Sequence, residues 1–170
     1  LVAVLHYQIG ALQGIAEGIG AVVKYVKPHG ALYNDMMANS ELRNVVMQAI
    51  AQMKEPLAFM LQATPEADQH LKEANNIGIE IIFEAFADRC YDDEGALVPR
   101  TKDSAMHGRD KMLLQVEQII RYGTVTTESG FELPLKADSL CIHGDNDISA
   151  EAVREIRLLI DRENDESGQL

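Results

Sequence analysis

The stretch Val26-Lys27-Pro28-His29-Gly30-Ala31-Leu32-Tyr33-Asn34 decides how this chain is read. It closes an apolar run, Val22 to Val26, and delivers Lys27, His29 and Asn34 in quick succession. Pro28 has no N–H to give a sheet ladder and pushes Lys27 into extended backbone, so a strand ends there. Gly30 lets the chain turn sharply behind the imidazole. Polar, proton-handling groups at the carboxyl end of a buried strand are the arrangement of an α/β active site. A plain strand-to-loop turn with an incidental histidine is the competing reading of this stretch alone.

The same pattern recurs on either side. From Leu1 to about Gly20 apolar residues fall at Leu5, Ile9, Leu12, Ile15, Ala16 and Ile19, a helical spacing stopped by Gly18 and Gly20. Ser40 is placed to cap a helix running to about Met53, and Pro56 ends it. Leu57–Leu61 is a second strand, and Thr64-Pro65 opens a helix over 66–75. Ile79–Phe83 is a third strand. A long loop runs from Cys90 to about Gly108, and loops of that length are more often functional than connective. Arg109–Arg121 is helical, burying Met112, Leu113, Val116, Ile119 and Ile120. A small β excursion covers 124–135, Ser139–Ile142 is a fourth strand, and a last helix runs from Ser149 to about Arg162. Residues 163–170 read as a polar tail behind one domain over 1–162.

Strands alternating with amphipathic helices are the pattern of a parallel α/β fold, whose right-handed crossovers set the strand ends on one rim. Closed (β/α)₈ barrels take about 250 residues. At 170 residues, beginning at Leu1 inside a helical pattern, the chain reads as a barrel lacking its first strands.

Composition narrows the function classes. Apolar residues make up 46% and charged ones 25%, as in ordinary globular chains. A net charge of −12 argues against nucleic-acid binding, which needs clustered Lys and Arg. No apolar run reaches the roughly 18 residues of a membrane span. Cys90 and Cys141 lack metal-type spacing and are too few for a disulfide framework, so reduced thiols and a cytoplasmic home are expected.

Three of the four strands end in ionisable groups: Lys27 and His29, then Glu84, Asp88 and Arg89, then His143 and Asp145. Convergence on one rim would supply the acid, base and anion-holding groups of a catalytic site. Either histidine can move a proton near neutral pH. Glu84, Asp88 or Asp145 can orient an imidazole, and Arg89 and Arg100 can clamp a carboxylate or phosphate. Ion-paired structure at Asp88–Arg89 and turn chemistry at His143-Gly144-Asp145 are the bland alternatives. His6, His70 and His107 read as surface or packing residues. No P-loop, HExxH or Ser-His-Asp pattern is present.

Val26–Asn34, Glu84-Ala85-Phe86-Ala87-Asp88-Arg89-Cys90-Tyr91 with Gly95–Arg100, and Cys141-Ile142-His143-Gly144-Asp145 resemble, in order, the three signature blocks of the LamB/YcsF family. The helix around Tyr7–Leu12 is similar to the family's as well. The resemblance implies a (β/α)₇-type barrel of the glycoside hydrolase and deacetylase kind. It also implies ATP-dependent opening of 5-oxoproline to glutamate, this chain being the A component of a 5-oxoprolinase beside partner subunits B and C. Two blocks carried at the front of family members, an Asp-Leu-Asn-x-Asp-x-Gly-Glu-like one and a His-Ala-Gly-Asp one, are not in this sequence. Gln62-Ala63-Thr64 also stands where small residues ending in serine are the family pattern.

On this reading His29 or His143 is the general base, with Asp145 or Glu84 orienting it. Lys27, Asn34, Asp88, Arg89 and Arg100 face the substrate, ATP is handled mainly by the partners, and His29, Asp88 and His143 are the candidates for a divalent metal. The alternatives are a metal-dependent deacetylase of a small carbohydrate amide and a truncated, non-catalytic scaffold that covers exposed strand edges as a homodimer.

Overall fold

The computed structural model describes residues 1–144 and 147–167. In chain order it contains α1 (Val2–Gly18), β1 (Tyr25–Val26), α2 (Ala31–Ala38), α3 (Ser40–Ala51), β2 (Ala58–Gln62), α4 (Ala67–Ile77) and β3 (Ile81–Phe86). After a 3₁₀ turn at Asp103–Ala105 come α5 (Arg109–Tyr122), β4 (Thr124–Thr126), β5 (Glu132–Pro134), β6 (Ser139–Cys141) and α6 (Asp147–Ser167). The expected alternation of strand and helix is there. Where the sequence reading drew one domain over 1–162, the chain divides into two compact units: residues 1–62 with 68–82, and residues 63–67 with 83–170.

In the first unit β1 lies parallel to β2, with Tyr25 opposite Ala58 and Val26 opposite Phe59. The strand is shorter than the apolar run Val22–Val26 suggests, because pairing starts only at Tyr25 and Val22 is 79% exposed. Leu5, Ile9, Met36, Val46, Met47, Ile50, Phe59 and Leu61 are buried. The outer side of α1 leaves Val4, Tyr7, Leu12, Ile15 and Ile19 exposed. The His6 ring nitrogen Nε2 donates to the Ala49 carbonyl at 2.8 Å, tying α1 to α3, so this histidine is a packing residue.

Two local expectations are corrected here. Asn39, not Ser40, caps α3: its extended backbone lets Oδ1 accept the Leu42 N–H at 3.0 Å. A helix, α2, also follows the Pro-His-Gly turn directly. Gly30, at φ 63°, reverses the chain into it, a conformation that a side chain would strain.

Arg43 is the polar keystone of this unit. It is 4% exposed, yet Nε and Nη2 grip the two carboxylate oxygens of Glu73 at 2.8 and 3.1 Å, while Nη1 donates to the Met36 and Met37 carbonyls. One side chain thereby joins α2, α3 and α4.

In the second unit β3 and β6 pair in parallel, with Glu84, Ala85 and Phe86 opposite Ser139, Leu140 and Cys141. Asp138 closes the entry to β6, its backbone N–H donating to the Phe83 carbonyl and its carboxylate accepting the Phe83 N–H. Ala87, Met112, Val116, Ala152 and Ile156 form a core between the strand end, α5 and α6. β4 and β5 form the antiparallel excursion expected over 124–135.

Helix α6 continues to Ser167, past the Arg162 where a polar tail was expected to begin. The reason is Glu163, which is 9% exposed and takes Nε and Nη2 of Arg121 on α5 at 3.0 and 2.7 Å. The pairing lowers the Glu163 carboxyl below its ordinary range.

The long segment after β3 is held by specific bonds. Residue pairs Arg89–Met106 and Tyr91–Leu97 bridge it, and Cys90, Val98 and Ala105 form a small core beneath it. Tyr91 is fully buried, and its hydroxyl oxygen accepts the Phe86 N–H at 2.7 Å. Burial raises its phenol far above the usual range, so it stays neutral. Tyr91→Phe leaves that N–H unpaired in the interior. Equilibrium unfolding in urea is expected to show a loss of about 1–3 kcal/mol through a lower midpoint at unchanged slope.

Both cysteines are free thiols. No helix among the described residues is long and apolar enough to cross a membrane.

Candidate functional site

The second unit brings two of the expected residues into direct contact. Strand β3 ends at Phe86, and the chain bends through Ala87 to set Asp88, fully buried, under the end of β6. There the Asp88 carboxylate meets His143. Oδ2 accepts the His143 backbone N–H at 3.1 Å and faces ring nitrogen Nδ1 at 2.9 Å, with Oδ1 at 3.2 Å from the same nitrogen. The ring also stacks nearly flat on Phe86, 14° between planes and 5.6 Å between centroids.

This geometry assigns the tautomer. An ionised carboxylate only accepts hydrogen bonds, so Nδ1 carries the proton and the lone pair lies on Nε2. The His143 side chain is 29% exposed, while that of Asp88 is completely covered. A buried anion orienting an imidazole whose far nitrogen is reachable is the arrangement of a general base. It equally suits a histidine metal ligand, whose other nitrogen is characteristically held by a carboxylate.

The remaining expected residues take different positions. Glu84 is buried on β3, 1% exposed, and its carbonyl accepts the Ala63 N–H at 2.8 Å. Arg89 is 7% exposed and directs Nη2 to the Val98 carbonyl at 2.7 Å and Nε to the Ala105 carbonyl at 3.3 Å. The Nε–Nη2 edge that could clamp a carboxylate side-on thus pins the 90–105 segment. Arg100 is exposed on the turn after Pro99. Asp145 lies outside the described residues. In the first unit His29 and Asn34 are exposed, and the Lys27 ammonium sits 5.8 Å from the centre of the Tyr33 ring.

Among the described residues no three His, Cys, Asp or Glu side chains converge as a metal site does. Both Asp88 oxygens face His143 nitrogens, so a resident metal does not fit the described set.

Two buried residues behind Asp88 escaped the sequence reading. Gln115 on α5 is 5% exposed and directs its amide nitrogen to the carbonyls of Phe86 at 2.8 Å, Ala87 at 3.2 Å and Arg89 at 2.8 Å. Its Oε1 lies 3.1 Å from Nε2 of His107, and the His107 backbone N–H donates to the Asp88 carbonyl at 2.9 Å. The signal was present: Gln115 is a polar amide in the inward set Met112, Val116 and Ile119.

Comparison with known proteins then places the chain. The model of the LamB/YcsF family matches residues 1–169. A Vibrio cholerae protein named as the A subunit of 5-oxoprolinase is 40% identical over 159 residues, covering 93% of this chain and 64% of that relative. A Pseudomonas putida protein, named as the second of two such A subunits, is 46% identical over 160 residues, covering 92% and 61%. The crystal structure of the lactam utilization protein from Thermus thermophilus superposes with a TM-score of 0.79 at 31% identity, over 91% of this chain and 62% of that one. The chain therefore spans a little under two thirds of the length of these curated relatives. The shared architecture is an α/β fold of parallel strands and helices, consistent with a barrel of the TIM-like kind.

Proposed function

This chain belongs to the LamB/YcsF family, and from that premise we propose that it contributes the proton-handling pair of a 5-oxoprolinase, opening a small cyclic amide to the amino acid. The observation that carries the reading is the Asp88–His143 contact, which leaves Nε2 of His143 able to take a proton.

A lactam is a stable amide, so its opening needs a polarised carbonyl oxygen and an activated water. Within the complex ATP supplies the activation of that oxygen. His143 Nε2 removes the proton of the attacking water, and Asp88, holding Nδ1–H, stabilises the imidazolium that results. Stacking on Phe86 fixes the plane in which Nε2 points. Lys27 and Arg100 are the cations proposed to hold the substrate carboxylate, with His29 and Asn34 as further contacts and Glu84 and Asp145 as acidic neighbours. Partner subunits B and C complete the enzyme and carry most of the ATP binding, since this chain has no phosphate-cradling glycine loop. The relatives carry the name of one subunit among several, which supports assembly with other chains.

The complex reconstituted with its partner subunits tests this directly, with ATP-dependent glutamate release as the readout. His143→Ala is expected to lower kcat on the order of 10²–10⁴-fold with little change in KM. Unchanged turnover in both His143→Ala and His29→Ala would overturn the assignment.

The second reading, a metal-dependent amide hydrolase, is favoured by the same carboxylate-held imidazole. Turnover without partners and ATP, abolished by a chelator, would select it.

A further inference from the structure

The bend from Phe86 to Arg89 cannot hold itself. It has left the β3 ladder, yet it must present Asp88 within hydrogen-bond reach of His143. We propose that Gln115 is a positioning residue for the Asp88–His143 pair, clamping the backbone on both sides of Asp88 from α5. The inference rests on the reading of His143 as the base and names what sets its geometry.

The Gln115 amide nitrogen reaches the carbonyls of Phe86, Ala87 and Arg89, the residues flanking Asp88. The amide orientation is fixed by chemistry, since an oxygen facing those carbonyls would be repelled. Gln115 Oε1 then accepts a hydrogen bond, and His107 Nε2–H supplies it at 3.1 Å. His107 is therefore the Nε2–H tautomer, and its Nδ1 has no partner among the described residues. Burial and the nearby Lys111 charge both push the His107 ring below its ordinary pKa, which keeps it neutral in this role. Its own backbone N–H holds the Asp88 carbonyl, so His107 and Gln115 grip the bend as one brace. None of these groups touches the exposed Nε2 of His143. Their reach is through the backbone that carries Asp88, and a displacement of about 1 Å at a reacting group can change rate about 10²-fold.

The test uses two variants and two readouts. Gln115→Met keeps the volume and removes the amide; His107→Leu removes only the brace on Oε1. The first readout is the downfield proton resonance of His143 Nδ1–H in the bond to Asp88. The second is kcat and KM in the reconstituted complex. Gln115→Met is expected to shift or broaden that resonance and lower kcat about 10–100-fold at nearly constant KM. His107→Leu is expected to do the same to a smaller extent, and it decides the matter if Gln115→Met does not fold.

A folded variant with reduced stability but an unchanged resonance and kcat would show a purely structural role and overturn the proposal. Should His143→Ala prove fully active, the base reading fails on its own. The resonance still reports whether Gln115 sets the Asp88–His143 bond.

Discussion

Asp88→Asn is expected to reduce kcat of the reconstituted complex on the order of 10³–10⁴-fold while leaving the fold intact. The two side chains are nearly isosteric, so the buried space is still filled. What changes is the partner offered to His143. A carboxylate accepts from both the backbone N–H and Nδ1–H of residue 143. An asparagine has one oxygen for that task and turns an N–H₂ group towards the ring. The ring then gains by moving its proton to Nε2, which removes the lone pair that accepts a proton from water. The imidazolium also loses its counter-charge. A matched loss in Asp88→Asn and His143→Ala, with no further loss in the double variant, is the expected signature of one unit acting together.

The largest expected effect on stability belongs to Arg43→Ala, at about 3–5 kcal/mol, because it strands Glu73 and two carbonyls that the guanidinium now satisfies. For a chain of this size that corresponds to a fall in Tm on the order of 10 °C.

The pair also makes a pH prediction. The Arg43 guanidinium bonded to Glu73 holds its carboxyl below the ordinary glutamate range. A depressed folded pKa stabilises the folded state at every pH above the unfolded value, and that stability disappears as acid titrates the folded carboxylate. Denaturant unfolding of the parent chain should therefore weaken below about pH 4.5. In Arg43→Ala this part of the acid slope should be absent. An equal slope in both proteins would remove Arg43–Glu73 from the explanation.

Much of the fold was legible because burial writes a period into the sequence. Ile81–Phe86 and Ala58–Gln62 lie where continuous apolar runs placed them, and α5 follows its inward spacing closely. Features set by backbone geometry were not legible in the same way. Asn39 and Ser40 are both good caps, and only the extended backbone at Asn39 decides between them. Helix α2 was hidden behind Pro28 and Gly30, whose turn chemistry reads as loop although Gly30 swings the chain straight into a helix. The end of α6 depended on a pairing over 42 positions, Arg121 to Glu163, which no local pattern reports.

The candidate site divides along the same line. His143 and Asp88 could be proposed because each stands just past a strand. That Asp88, rather than Glu84 or Asp145, is the residue bonded to the imidazole among the described residues depends on the bend after Phe86. The bend depends on Gln115 and His107, which sit on the inner side of α5 and at the close of a long loop. Arg89 carries the same lesson. Its neighbours suggested a substrate clamp, whereas the path of the 90–105 segment gives its Nε and Nη2 backbone carbonyls to bind.

The most direct test of the Asp88–His143 arrangement is the tautomer of His143, read from two-bond ¹⁵N–¹H correlations of the ring in the folded chain at neutral pH. The expected result is a neutral imidazole protonated on Nδ1, converted in Asp88→Asn to the Nε2–H form. A parent chain already carrying its proton on Nε2 would contradict it, since the exposed nitrogen would then have no lone pair with which to accept a proton.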